Sequence, residues 1–220
     1  VRNNLGLSFG KPVIVETTAA GWVVLVTSGY NNTAGDGRGH LNVLSIADGP
    51  IIADLVTTAG SAATPSGLAH VSAFTDNSRA SAVAKYAYGG DLLGNLWKFD
   101  RSGASAASWS VSQFAVMRDG TGNPQPIAAA PELGNIDGKP LVSVGTGKLL
   151  GDSDVTNMSV QSIYTMLDNG TALGDVRGGS LVRRTAVVGA NQNRTITGDP
   201  IDWSSKRGWY LDLPGLGERA

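Results

Sequence analysis

Tyr88-Gly89-Gly90-Asp91-Leu92-Leu93-Gly94-Asn95-Leu96-Trp97-Lys98-Phe99-Asp100 is the stretch that decides the fold. It reads as the end of one strand, a tight Gly-Asp turn and a second strand. From Leu96 to Phe99 apolar and polar residues alternate, and Asp100-Arg101-Ser102-Gly103 makes the next turn. Glycine and aspartate suit the left-handed backbone of a tight hairpin. The same sentence returns elsewhere in the chain, and repeats fix an architecture ahead of any other signal.

Four segments share this grammar. The first runs over 12–55. Trp22 to Val26 reads as a buried strand, Leu41 to Ile46 alternates, Asp48-Gly49 turns, and Ile51 to Leu55 returns. The second, 67–117, has strands at Ala69 to Phe74, Lys85 to Gly89, Asn95 to Phe99 and Trp109 to Val116. The third, 125–184, contains Pro140 to Gly147 and the strand Gln161 to Leu167 with its Asp168 turn. The fourth, 185–220, stops early at Trp209 to Pro214 and is incomplete. Units of roughly 40 to 60 residues with about four strands have the size of a propeller blade. The expected fold is therefore all-β: a β-propeller of four-stranded antiparallel blades, present as an incomplete set of about four. Residues 1–220 read as a fragment of one such domain. A β-sandwich with Gly-rich loops is the alternative, and the repeated hairpin argues against it.

Composition agrees. Glycine contributes 30 of 220 residues and charged residues only 16%, which suits short strands joined by turns rather than long amphipathic helices. A net charge of −1 offers no electrostatic footprint for nucleic acid or an anionic membrane. With no cysteine, disulfides, cysteine-ligated zinc and thiol catalysis are excluded. No apolar run approaches the ~18 residues of a membrane span. The opening Val1-Arg2-Asn3-Asn4 is polar rather than signal-like, and the chain reads as part of a longer protein.

The residues also resemble a known family. Ser8 to Pro12, Gly21 to Val24, Ser28 to Asn31, Tyr88 to Asp100, Gln125-Pro126-Ile127 with Ala130-Pro131-Glu132, Val144 to Lys148, and Gly208 to Gly215 closing on Gly217-Glu218-Arg219 are similar, in that order, to the C-terminal β-propeller of PilY-type proteins of bacterial type IV pili. The resemblance implies a modified, quinoprotein-like propeller and export to the outer membrane, cell surface and pilus tip. It implies work in pilus assembly, twitching motility and adhesion. The implied partners are minor pilins, other pilus-tip components and a host or abiotic surface, with no nucleic acid and no membrane insertion by this fragment.

One departure matters. In the family a calcium loop, Asp-x-Asp-x-Asp-x-x-x-Asp, commonly precedes the Tyr-x-Gly-Asp strand, and calcium needs several hard oxygen ligands at that spacing. Counted back from Asp91, the ligand positions fall on Asn77, Arg79, Ser81 and Lys85. One residue earlier they fall on Asp76, Ser78, Ala80 and Ala84. Neither set holds calcium. Arg79 and Lys85 repel it and supply charge of their own, so the expectation is no cofactor and no metal.

Other candidates read as structure. The Asn31 to His40 loop carries oxygen donors, but Asn, Asp and Gly are also what exposed turns use. Asp152-Ser153-Asp154 offers too few carboxylates for a calcium cage and reads as a solvated loop. His70 reads as a hydrogen-bonded core or rim histidine, and His40 begins a strand. Gly145-Thr146-Gly147-Lys148 lacks the spacing of a phosphate loop. Asp100 and Asp168 recur after their strands as turn caps. The tryptophans read as blade packing, with Trp22, Trp97 and Trp209 expected between sheets. No catalytic, cofactor-binding or metal residue is assigned. The favoured reading is a non-enzymatic binding and assembly module working through the loops Asn31 to Gly39, Asp76 to Ala84, Gly151 to Asn157 and Gly189 to Asp202. The alternative is a fragment of a quinoprotein-type propeller dehydrogenase.

Overall fold

The computed structural model describes residues 4–77 and 79–220; the polar opening Val1 to Asn3 and Ser78 of the calcium-loop frame lie outside them. The described strands form three sheets. In the first, β1 (Val13–Thr17), β2 (Gly21–Thr27), β3 (His40–Ser45) and β4 (Ile51–Val56) pair in chain order as an antiparallel meander. The apolar run of β2 explains its depth. Val23 and Leu25 take the core face, and Val23 pairs with Val15 of β1 and Ser45 of β3.

The second sheet repeats the meander with β5 (Val71–Thr75), β6 (Ala84–Gly90), β7 (Asn95–Asp100) and β8 (Ser110–Val116). The third is built on β9 (Glu132–Ile136), β10 (Lys139–Gly145) and β11 (Ser162–Leu167). The first strands of the three sheets, β1, β5 and β9, lie next to one another, β1 against β5 and β5 against β9. The sheets therefore fan out from a common line, as propeller blades do. Two apolar wedges fill the angles. Val15, Leu25, Leu41 and Val43 meet Trp97, Phe99 and Trp109 between the first and second sheets. Tyr88, Leu96 and Phe114 meet Val142, Tyr164 and Met166 between the second and third.

The end of the chain departs from the expected fourth unit. Strand β15 (Gly208–Asp212) is the outer partner of β11, with Tyr164 opposite Tyr210 and Ile163 opposite Leu211. It completes the third sheet rather than opening a new one. Before it does so, the chain sends β12 (Gly174–Asp175) across to pair in parallel with β8 of the second sheet. It then returns as β13 (Val182–Val188), parallel to β15, and hairpins into β14 (Arg194–Thr197). The physical reason is the open edge of β11, whose backbone groups need a partner. The alternation that marks 209–213 as a strand does not say which edge it will satisfy.

The decisive stretch folds as a β6–β7 hairpin with different turn chemistry from the expectation. The left-handed residue is Gly94, at φ 81°. Asp91 is an acceptor hub instead. Its Oδ1 takes the amides of Leu93 and Asn95, both at 2.9 Å. Its Oδ2 takes Asn95 Nδ2 at 2.8 Å and Trp97 Nε1 at 2.9 Å. Gly90 is required for a second reason, because a Cβ there would stand 2.2 Å from the Ile127 side chain.

The tryptophans divide. Trp97 is 1% exposed and Trp109 is buried, but Trp22 is 49% exposed and Trp209 only half-buried. Trp22 loses its expected burial through strand period: Val23 and Leu25 occupy the core face, so their neighbour points away. Among the described residues no helix is long and apolar enough to cross a membrane.

Candidate interaction surface

Two polar clasps hold the second and third sheets together. At the first, Asp168 reaches from the turn after β11 into the second sheet. Its Oδ2 accepts Tyr88 OH and Lys98 Nζ, each at 2.6 Å, while Oδ1 accepts the Gly170 amide at 2.7 Å. Burial pulls this carboxyl up, but Lys98 and the two further donors outweigh it and hold it below the usual range. At the second, Arg177 follows β12 and stacks 4.5 Å above the Tyr210 ring. Its guanidinium pairs with Asp212 and donates to Ser162 Oγ and Tyr164 OH, both at 3.1 Å. The Arg118 carbonyl takes its Nε–H. Each clasp spends its charges on joining the second sheet to the third.

The sequence-derived loops can now be placed. In 31–39, Asn32 Nδ2 donates to the Arg38 carbonyl at 2.7 Å, and Asp36 Oδ1 accepts the Arg38 amide at 2.9 Å. His40, at the loop's end, is buried with a carboxylate against each ring nitrogen. His70 is half-buried, and burial pushes its pKa below 6.5. It lines a groove of about 300 Å³ together with Phe9, Tyr30, Ala128, Leu149 and Arg219. Tyr30 OH bridges that groove to the Ala128 carbonyl at 3.0 Å.

Asp152-Ser153-Asp154 is not a solvated loop throughout. It opens a short helix, α1 (Asp152–Val155), and Asp154 is buried. Asp154 accepts the Leu150 amide at 2.9 Å and pairs with Lys148 at 3.0 Å. The phosphate-loop look of Gly145 to Lys148 dissolves in the same contacts. The amides of Thr146 and Gly147 donate to Ser162 and Pro126 carbonyls, and the lysine is held by Asp154.

The segment before β6 is tied up by its own contacts. Lys85 Nζ lies 2.9 Å from Asp76 Oδ2, so an ammonium sits on the carboxylate that would begin a ligand set. Asn77 Oδ1 is taken by the Arg79 amide, and the Asp76 carbonyl by Asn135 Nδ2 of the third sheet. The oxygens of Asp76 and Asn77 thus already accept from Lys85, Arg79 and Asn135. Among the described residues no three His, Asp or Glu side chains are grouped to hold a metal.

Sequence reasoning missed three functional placements. Asp91 looked like a turn former, although Asn95 and Trp97, its later donors, stood in the same quoted stretch. Arg177 and Asp212 carry no local signal, because 35 residues separate them. Lys85 was recognised as hostile to calcium, but its partner was not.

Residues 1–197 match the family model described as the PilY1 beta-propeller domain. The chain belongs to the PilY1 β-propeller family. A type IV pilus biogenesis factor PilY1 homolog of Xylella fastidiosa is 33% identical over 214 residues, covering 95% of this chain and 16% of that protein. The type IV pilus biogenesis factor PilY1 of Pseudomonas aeruginosa is 29% identical over 255 residues, covering 96% and 21%. The crystal structure of the Pseudomonas aeruginosa PilY1 C-terminal domain superposes with a TM-score of 0.81 at 27% identity. That match covers 97% of this chain and 52% of the other. The chain thus spans about a fifth or less of these curated relatives' length.

Proposed function

We propose that this chain is a non-enzymatic propeller module of a type IV pilus biogenesis factor, exported to the outer membrane and pilus tip. Its sheets are the rigid part, and the segments 31–39, 76–84, 151–157 with helix α1, and 189–202 with the edge strand β14 make the contacts. The partners are minor pilins, other tip components and a host or abiotic surface. The observation that carries the reading is the family match over residues 1–197. The geometry supports it in a second way: Asp168, Lys98, Arg177 and Asp212 are each spent on holding sheets together. A strain lacking the parent gene is expected to lose piliation, twitching and attachment, and to regain them from a plasmid copy. Normal pili and attachment in that strain, or a purified parent that oxidises alcohols with added quinone and calcium, would sink the reading.

The proposal includes a loop at 76–85 that works without calcium, held by Lys85 instead. Calorimetric titration is expected to give no micromolar calcium binding there. A calcium ion located on Asp76 in a crystal soaked with the ion counts against it.

A further inference from the structure

His40 is held in a way that its strand does not require. Its backbone is fixed separately: the His40 amide donates to Ser28 Oγ at 3.0 Å, and its carbonyl accepts the Ser28 amide at 2.9 Å. The ring is a second, independent tie. Nδ1 lies 2.9 and 3.1 Å from the two carboxylate oxygens of Asp54 on β4. Nε2 lies 3.1 Å from Asp36 Oδ1, in the middle of the loop that precedes β3. A neutral imidazole has one N–H and one lone pair, so it cannot donate on both sides. Two carboxylates are acceptors only. Both contacts are hydrogen bonds when the ring is an imidazolium, and one of them becomes a repulsion of lone pairs when it is not.

Asp36 is the point through which this ring reaches the loop. Its amide donates to Asn4 Oδ1 at 3.0 Å, and its carboxylate also takes the Arg38 amide. Gly37 beside it lies in the left-handed region at φ 73°, with its carbonyl accepting the Ser66 amide at 2.8 Å. The charged groups facing the ring are Asp36 and, through it, Arg38 from the loop, and Asp54 from β4. From the β2 side the neighbour is the uncharged Ser28.

We propose that His40 is a protonation-dependent latch: as an imidazolium it pins loop 31–39 to the first sheet through Asp36 and Asp54, and loss of its proton loosens that loop. Burial alone draws this histidine down, but Asp54 and Asp36 outweigh it and raise it above 6.5. A group raised on folding contributes fully below its unfolded value, and the contribution is lost as pH rises through the folded one. The latch is therefore closed below the ordinary histidine value and opens as pH rises through the raised one. Toward acid, Asp36 keeps it closed. Its carboxyl, pulled up by burial, is held below the ordinary value by the Arg38 amide and His40.

The chain contains only two histidines, and they are displaced in opposite directions, so each is the other's reference. Titration of the isotopically labelled 220-residue chain by NMR, with His70→Gln for assignment, is expected to show His40 titrating above 6.5 and His70 below it. Arg38 is exposed, so trypsin reads the loop directly. Cleavage after Arg38, normalised to a peptide substrate at each pH, is expected to rise along the His40 titration, by about tenfold for each unit that His40 is raised. Asp54→Asn keeps the shape and removes one charge. It is expected to bring His40 back toward 6.5 and to move the rise in cleavage to lower pH with it. A His40 midpoint at or below 6.5 overturns the proposal, as does a cleavage rate that ignores the His40 titration. Both are read on the unsubstituted chain, so they stand if the variant fails to fold. They are also independent of the pilus reading, which the deletion strain tests separately.

Discussion

Asp91→Ala is expected to unfold the chain or bring it to the edge of unfolding. Asp91 is fully buried, and its carboxylate satisfies four donors: the Leu93 and Asn95 amides, Asn95 Nδ2 and Trp97 Nε1. Alanine leaves all four without this acceptor, three of them in the buried interior and the Leu93 amide part-buried. A buried donor stranded in this way costs about 1–3 kcal/mol. Relaxation reduces the sum, and a loss of about 5 kcal/mol remains, against a typical domain stability of about 5–15 kcal/mol. Trp97 stands in the wedge between the first two sheets, so the damage spreads from a turn to a core. Asp91→Asn separates acceptor from charge. It keeps one acceptor oxygen but turns an NH2 group toward Trp97 or Asn95, and about half of the loss is expected. Urea unfolding followed by tryptophan fluorescence reads both. An alanine variant within about 1 kcal/mol of the parent would show that the hub is not what holds the hairpin.

This hub marks the limit of what the sequence discloses. The strands on either side of Asp91 are legible because alternation and glycine are local signals, and β6, β7 and β8 fall close to where the pattern places them. The acceptor role of Asp91 is not legible, because turn propensity describes the backbone and not where a side chain will find donors. The same distinction explains β15. Its alternation identifies a strand, but its pairing with β11 crosses more than 40 residues, and an edge is a property of the assembled sheet. Residue type alone places Trp22 inside, but strand period does not: the buried Val23 and Leu25 beside it take the core face. The loops themselves were legible from their Asn, Asp and Gly content. Their fastenings were not. His40 finds one carboxylate four residues back and another fourteen ahead, and Asp76 finds Lys85 only once the loop has closed.

The second large effect separates two aspartates that the sequence treats alike. Asp100 ends β7 and Asp168 follows β11, and both cap the turn that comes next. Asp100 does little more: its Oδ1 accepts the Ser102 amide at 2.9 Å and the Ser102 hydroxyl at 2.6 Å. Asp100→Asn is expected to cost at most about 1–2 kcal/mol, the value of a turn hydrogen bond. Asp168 is 3% exposed and carries the Tyr88 hydroxyl and the Lys98 ammonium besides its own turn. Asp168→Ala leaves a largely buried ammonium with only the face of the Tyr86 ring, 4.0 Å away, for a partner, and breaking such a buried pair costs about 3–5 kcal/mol. The two losses also respond differently to acid. Asp168 is held below the ordinary carboxylate value by Lys98, Tyr88 and the Gly170 amide, against the upward pull of burial. A group lowered on folding contributes above its unfolded value of about 3.9, and that contribution disappears as pH falls through the folded one. The gap in urea midpoint between the parent chain and Asp168→Ala is therefore expected to be constant from neutrality down to about pH 5 and to narrow below about pH 4. Asp100→Asn serves as the control, with a small gap throughout. Equal costs at neutral pH would mean that Asp168 is only a turn cap, and that the second and third sheets are joined without it, by their apolar wedge, the Arg177 clasp and the Asn135–Asp76 hydrogen bond.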